Sequence, residues 1–449
     1  MSRNPKFPRT ISPVSAGGAP LSNQERYASL KTRVHQKLLS VLNMDAVKAE
    51  SRQELRREVQ SVLEKILRED HLPISTTERN RLAEEILDEV FGLGPLEPLL
   101  KDPTISDILV NTHKHVYIER HGKLIETPIR FQNDRHLLHI IEKIVSSVGR
   151  RIDESVPLVD ARLQDGSRVN AIIPPLAVDG PSLSIRRFGR KVLTNEELLR
   201  NQTLTQSTMR FLAVCVEARL NLVISGGTGS GKTTFLNCLS RFIPEHERVV
   251  TIEDTAELQL QLEDVVRMET RPPNIEGKGA ITQRQLLMTA LRLRPDRILL
   301  GEARGGEALD MLQAMGTGVE GSMTTVHANS PGDAFSRLET MVMMAKLDLP
   351  SRFIRQQMAS VIHLLVQTAR LSDGTRKVTH IAEVTGLEDL NIRVRDIFVF
   401  EQTGVAEDGR VLGRFRGTPP SAEFMERLRL SGTAVPPGLF EDVVPATQG

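Results

Sequence analysis

From Gly226 to Thr233 the chain reads Gly-Gly-Thr-Gly-Ser-Gly-Lys-Thr, the spacing GxxxxGK[ST]. These residue types in this order suit the binding of a phosphate chain. Glycines let the backbone wrap so closely that successive N–H groups point inward at phosphate oxygens, and a helix starting at the loop's end adds its partial positive charge. In that arrangement Lys232 bridges the β- and γ-phosphates of ATP and the Thr233 hydroxyl ligates Mg2+. Nucleotide contacts are expected from Gly226, Gly227, Thr228, Gly229, Ser230, Gly231, Lys232, Thr233 and Thr234. The flanks fit, with a buried strand expected at Asn221 to Ser225 and a helix from Thr234 to Arg241. A glycine-rich turn carrying a chance lysine does not account for those flanks. Such loops serve kinases, GTPases, helicases and motors alike, so the reaction must be read from other residues.

Acids supply the next clue. Arg248 to Glu253 is a second apolar run ending in the cluster Glu253, Asp254 and Glu257. At the C-terminal edge of a parallel sheet such carboxylates face the nucleotide crevice, where one can orient and deprotonate the attacking water. Glu257 is the expected base and Glu253 its alternative; a solvated charged loop is the competing explanation. Arg297 to Leu300 is a third run, ending in Gly301-Glu302. It occupies the position of a Walker B acid with Glu in place of Asp, suited to holding Mg2+ through water. A fourth run, Ser322 to Val326, delivers His327, which can donate a hydrogen bond to the γ-phosphate.

The elements that must position these residues divide the chain. Residues 1–24 are expected as a disordered leader, 25–100 as a small helical bundle, 101–188 as an α+β domain, 189–192 as a hinge, 193–406 as the ATPase domain and 407–449 as an extension. Helical stripes are expected at Tyr27 to Val41, at Leu55 to Leu67, and at Leu82, Ile86 and Val90, the last behind a Ser75/Glu78 capping box. In the α+β domain, strands are expected at Ile105–Val110, His115–Glu119, Leu124–Phe131, Leu158–Leu163 and Val169–Ile173, with a helix capped by Asp134 between them. His113, His115 and His121 are read as solvated side chains with no carboxylate placed to complete a metal site. Beyond residue 193, strands and helices alternate to about residue 365, the sign of a parallel sheet with helices on both faces. From Glu401 the chain is rich in Gly, Pro and charge, and is expected to be loosely ordered around one short helix near Ala422 to Leu430.

Composition narrows the functions. The formal net charge of +1 gives no global attraction to polyanions, and aromatic residues make up only 4% with no tryptophan. A nucleic-acid-dependent translocase, the main alternative, lacks the best stacking platforms, so no direct nucleic-acid partner is expected. A small-molecule kinase would need a lid and an acceptor pocket, and neither has a sequence sign. The cysteines, Cys215 and Cys238, lie in apolar contexts outside any CxxC pair, as in a reducing compartment. No apolar run reaches the ~18 residues of a membrane span.

Four segments in order resemble the secretion-motor ATPases of type II secretion, type IV pili, type IV secretion and tight-adherence (Tad) pili. They are the phosphate loop, TIEDTAEL (Thr251 to Leu258), RPDRILLGEARGGEALDMLQAMGTG (Arg294 to Gly318) and TTVHANSP (Thr324 to Pro331). SDILVN at Ser106, VPLVDARLQDGSRVNAIIPPLA at Val156 and PSLSIRRF at Pro181 look most like the Tad-pilus assembly branch. The four-cysteine zinc module common in type II secretion ATPases is missing, while the type IV secretion relative shares the boxes. The resemblance implies an α/β fold with a RecA-like P-loop core, an N-terminal α+β domain of PAS-like type and a preceding helical bundle. It also implies a cytoplasmic homo-hexamer, associated peripherally with the inner membrane through polytopic platform proteins and acting on pilin only indirectly. By position in the family's motifs, Arg168 and Arg186 are the arginines that the N-terminal domain brings to the phosphates.

Overall fold

A computed structural model describes residues 52–69, 75–120, 122–187, 193–273 and 277–440. The leader, the stripe from Tyr27 to Val41, His121 and the connection 189–192 lie outside the described residues. The chain divides into two units, the first ending at Arg187.

In the first unit, helices Arg52–Glu69 and Thr76–Phe91 pack through Val59, Leu63 and Ile66 against Leu82, Ile86 and Val90. Ser75 caps the second helix, its hydroxyl accepting from the Glu78 N–H at 3.2 Å while the Glu78 carboxylate accepts from the Ser75 N–H at 3.0 Å. A six-stranded sheet follows, built from β1 (Ile105–Thr112), β2 (His115–Arg120), β3 (Lys123–Glu126), β4 (Leu158–Arg162), β5 (Arg168–Ile172) and β6 (Ser182–Arg186) in the order β3-β2-β1-β6-β5-β4. Between Ile105 and Asp107 the register with β2 shifts, and this bulge lets Ile105 and Ile108 both face the core despite their odd spacing. Helix Asp134–Ser147 covers that core with Leu137, Ile140, Ile141 and Ile144.

Several local expectations need correction. The cap of the covering helix is Asn133, whose side chain accepts from the His136 N–H at 2.9 Å; Asp134 is the first helical residue and pairs instead with His113 at 2.6 Å. His113 and His115 stay open to solvent and each meets one carboxylate, His115 pairing with Glu126 at 3.1 Å. Strand β3 ends at Glu126, where the expected run to Phe131 turns away. Strand β6 was hidden in PSLSIRRF, and it joins the two halves of the sheet by pairing with both β1 and β5.

The second unit is a nine-stranded sheet, comprising β7 (Leu222–Gly226), β8 (Val249–Glu253), β9 (Val265–Glu269), β10 (Arg297–Ala303), β11 (Met323–His327), β12 (Leu364–Arg370), β13 (Arg376–Glu388), β14 (Asn391–Val405) and β15 (Val411–Gly417). Its order is β15-β14-β13-β12-β7-β11-β10-β8-β9. The six strands from β12 to β9 are parallel, and β13 to β15 continue the sheet as an antiparallel meander. Alternate residues of β7 feed separate cores: Leu222 and Ile224 pack with helices Gln206–Glu217 and Lys232–Leu239, and Val223 packs with helices Glu307–Gly316 and Pro331–Met343. Each such side chain contributes roughly 1.5–3 kcal/mol by leaving water. The resulting helix–sheet–helix layering is that of a RecA-like P-loop core.

The stretch from Glu401 is more ordered than expected. β14 runs to Val405 and pairs with β15, and helix Ala422–Leu430 seats Phe424 and Leu428 in the same core as β7. Gly409, Gly432 and Gly438 mark turns in this stretch, while Phe415, Phe424 and Leu428 supply the apolar anchors. Among the described residues no helix is long and apolar enough to cross a membrane.

Candidate active site

Four loops leave the same edge of the larger sheet. In the pairing register His327 lies opposite Gly226 and Val326 opposite Ala303, so the phosphate loop, the His327 loop and the end of β10 share one row. One strand further, Leu300 pairs with Ile252, which puts Glu253 at the same edge. With strands about 4.8 Å apart, β10 lies about 10 Å from β7 and β8 about 14 Å. Glu302 is therefore the nearer acid.

The phosphate loop fits its surroundings tightly. A Cβ on Gly226 would meet the Ser230 and Thr368 hydroxyls and the Thr368 carbonyl at 2.4–2.5 Å, so only glycine fits there. Gly231 enters helix Lys232–Leu239 at φ 92°, a conformation that costs a side chain strain. Lys232 donates to the carbonyls of Gly226 at 3.0 Å and Gly227 at 3.1 Å, which places its ammonium across the loop, and Thr233 and Thr234 stand in the helix's first turn. Thr228 and Gly229 form the outer curve, and the Ser230 hydroxyl bonds Thr368 on β12 at 3.0 Å. Thr368 in turn donates to the Ser225 carbonyl at 3.1 Å.

Among the acids, Glu253 is buried and one of its oxygens accepts from the N–H groups of Glu257 at 2.8 Å and Leu258 at 2.9 Å. Burial pushes its carboxyl above the ordinary range, and those two N–H bonds pull it partly back. The arrangement shapes the turn that presents Glu257. Glu302 accepts from Arg304 at 2.6 and 2.9 Å, and the same guanidinium reaches Asp254 at 3.1 Å. Arg304 escaped the sequence reading although it stands inside the Walker B box; a cation two residues after the acid was the available signal. Gln367 and Thr368 on β12 also escaped, because only the sheet order brings them beside β7.

Arg168 and Arg186 belong to the first unit. They pair directly across β5 and β6, with Arg162 opposite Arg168 on the other side. Asp107 and then Glu119 continue the row beyond Arg186, so one line across that sheet carries three guanidinium groups followed by two carboxylates. Cys215 and Cys238 are buried, and burial raises both thiols, Cys238 to about 11, which disfavours the thiolate.

Residues 89–405 match the family of type II/IV secretion system proteins. Residues 27–91 match the N-terminal domain of type II secretion system protein E. The type IV secretion system protein PtlH of Bordetella pertussis is 34% identical over 317 residues, covering 64% of this chain and 92% of PtlH. The conjugal transfer protein TrbB of Rhizobium radiobacter is 31% identical over 293 residues, covering 63% of this chain and 85% of TrbB. Among solved structures, the VirB11 ATPase of the Brucella suis type IV secretion system, in complex with sulphate, is 29% identical over 66% of this chain and 97% of that one, with a TM-score of 0.36.

Proposed function

This chain belongs to the type II/IV secretion system protein family and is an ATPase, and from that premise we propose a hexameric, Mg2+-dependent motor that powers Tad- or type IV-type pilus assembly. Its work passes through platform proteins of the inner membrane, to which the ring is held from the cytoplasmic side. The observation that supports the nucleotide chemistry is the shared row of Gly226, His327 and the end of β10, with Glu253 and Glu257 one strand beyond.

In this reading the loop from Gly226 to Thr234 holds the triphosphate, Lys232 spans the β- and γ-phosphates, and His327 donates to the γ-phosphate. Glu257 takes the proton of the attacking water. Glu253 is the weaker candidate, because two backbone N–H groups already occupy one of its oxygens. The donors suit Mg2+: the Thr233 hydroxyl and the Glu302 carboxylate are hard oxygens, and Glu302 would act through water. When bound, the ion would neutralise negative charge on the triphosphate. Arg168 and Arg186 are proposed to reach the phosphates when the N-terminal domain closes, and their withdrawal on rotation would couple hydrolysis to movement.

The likeness to PtlH, a type IV secretion system protein, and to TrbB, a conjugal transfer protein, favours a second reading, a type IV secretion or conjugal-transfer ATPase. One experiment separates the two. Deleting the gene should remove surface pili and leave conjugal transfer intact; the opposite pattern establishes the second reading. Purified protein without Mg2+-dependent ATP hydrolysis in any oligomeric or lipid-bound form would sink both.

A further inference from the structure

The outer curve of the phosphate loop is held by a part of the chain that carries none of the family boxes. Arg376, the first residue of β13, donates from Nε to the Gly229 carbonyl at 3.0 Å, and its Cδ lies 3.5 Å from where a Cβ on Gly231 would stand. Arg370, the last residue of β12, pairs with Arg376 across the hairpin and brings a guanidinium nitrogen within 3.8 Å of the Cβ position of Gly229. A trans peptide sets its C=O and N–H on opposite sides. Holding the Gly229 carbonyl outward therefore turns the Ser230 N–H inward, and that N–H does point into the loop, toward the Gly227 carbonyl at 3.4 Å.

The turn carrying Arg376 is itself anchored. Asp373 accepts from the Thr375 N–H at 2.9 Å and hydroxyl at 2.6 Å with one oxygen, and from the Val411 N–H at 2.9 Å with the other. Leu371 packs on Phe400, Val411 and Phe415, a small apolar cluster formed by β14 and β15. A continuous chain of contacts thus runs from the C-terminal hairpin through Asp373 and Arg376 to the Gly229–Ser230 peptide.

We infer that Arg376 is a positioning residue for the nucleotide, orienting the Gly229–Ser230 peptide so that its N–H meets phosphate, and that the β14–β15 hairpin holds Arg376 in place through Asp373. The inference rests on the nucleotide role of the loop. Arg376 touches the loop and not the reacting atoms, so its loss should act on affinity more than on the chemical step.

The test uses the full-length protein, a fluorescent ATP analogue with Mg2+, and steady-state hydrolysis. Arg376→Ala should raise both Kd and KM about three- to tenfold, the scale of one ordinary net hydrogen bond, because the lost contact acts on phosphate only through the loop, while kcat falls less than about twofold. Arg376→Lys should recover part of the lost affinity. Asp373→Ala should move Kd the same way by less, and the double variant should bind no worse than Arg376→Ala alone. If Arg376→Ala fails to fold, Arg376→Gln takes its place. A Kd equal to wild type in the alanine variant, with Lys232→Ala as the non-binding control, overturns the inference; so do strictly additive losses in the double variant. Wild-type protein that does not bind the analogue removes the nucleotide role itself, and this inference with it.

Discussion

Replacing Glu247 with alanine should destabilise the larger unit more than any surface change. Glu247 and Arg297 are 3% and 0% exposed, and they meet as a two-pronged pair, Nε to Oε2 at 2.5 Å and Nη2 to Oε1 at 3.0 Å. Arg297 also donates to the Val216 carbonyl at 2.6 Å, which fixes the guanidinium in place whether or not the acid is present. Removing the carboxylate leaves a buried cation that cannot reach water, at a cost of about 3–5 kcal/mol. Arg219, the acid's second cation at 3.7 Å, is partly exposed and does not change this figure. For a unit of this size the loss corresponds to roughly 6–20 °C in melting temperature. Thermal unfolding followed by circular dichroism reads it directly. The double variant Glu247→Leu with Arg297→Met should recover most of the loss, since an apolar pair of similar bulk needs no charge compensation. Glu302 lies five residues along β10 from Arg297, about 17 Å, so ATP turnover at 15 °C should stay within about twofold. A melting shift under about 2 °C in Glu247→Ala, or no recovery in the double variant, refutes the reasoning.

Three further outcomes are expected. Lys232→Ala should abolish nucleotide binding, whereas Glu302→Gln should bind ATP and lose at least about a hundredfold in turnover; equal loss of binding in both, by fluorescence titration, contradicts their separate roles. Arg168→Ala should lower turnover with little change in affinity, and in mixed oligomers it should poison wild-type partners; activity that simply tracks the wild-type fraction would tie Arg168 to its own subunit. His363 is held at a pKa of about 4 by burial and by the Arg427 charge, and its Nδ1 accepts from the Asn221 N–H at 2.9 Å just before β7. Its folded value lies below its unfolded one, so this stability is present above pH 6.5 and is lost as pH falls toward 4, by at most about 3 kcal/mol. His363→Asn keeps an acceptor and cannot titrate, so its melting temperature should fall less over that range; parallel curves would place the acid sensitivity elsewhere.

The sequence carried the phosphate loop legibly, because GxxxxGK[ST] is local and its flanking strand and helix are local too. Glu253, Glu302 and His327 were legible as strand ends, since each follows a short buried apolar run. What stayed hidden depends on pairing between distant segments. Thr368 stands 138 residues from Ser230, its hydroxyl partner, and Arg376 stands 147 residues from Gly229. Neither separation has a periodicity to betray it. The order of β15 was hidden for a different reason: Arg414 and Arg416 flank the buried Phe415 on a strand that faces water on one side, and Gly413 and Gly417 masked that alternation. Asn133 against Asp134 as a helix cap is a one-residue ambiguity, settled by which side chain reaches the N–H three residues on.

The position of β7 between β11 and β12 bears on synthesis. β7 and its loop emerge from the ribosome early, but their sheet partners follow about 100 and 140 residues later. Until then the strand has neither flank, and Thr368 is not there to meet Ser230. Parallel neighbours of this kind close long loops and form late, whereas the β12–β15 meander is local and can form as it emerges. The last-made third of the larger unit therefore supplies the second of the two strands between which the early strand docks. A chain halted before Leu364 contains every residue of the phosphate loop and lacks the flanking strand that gives the loop its shape.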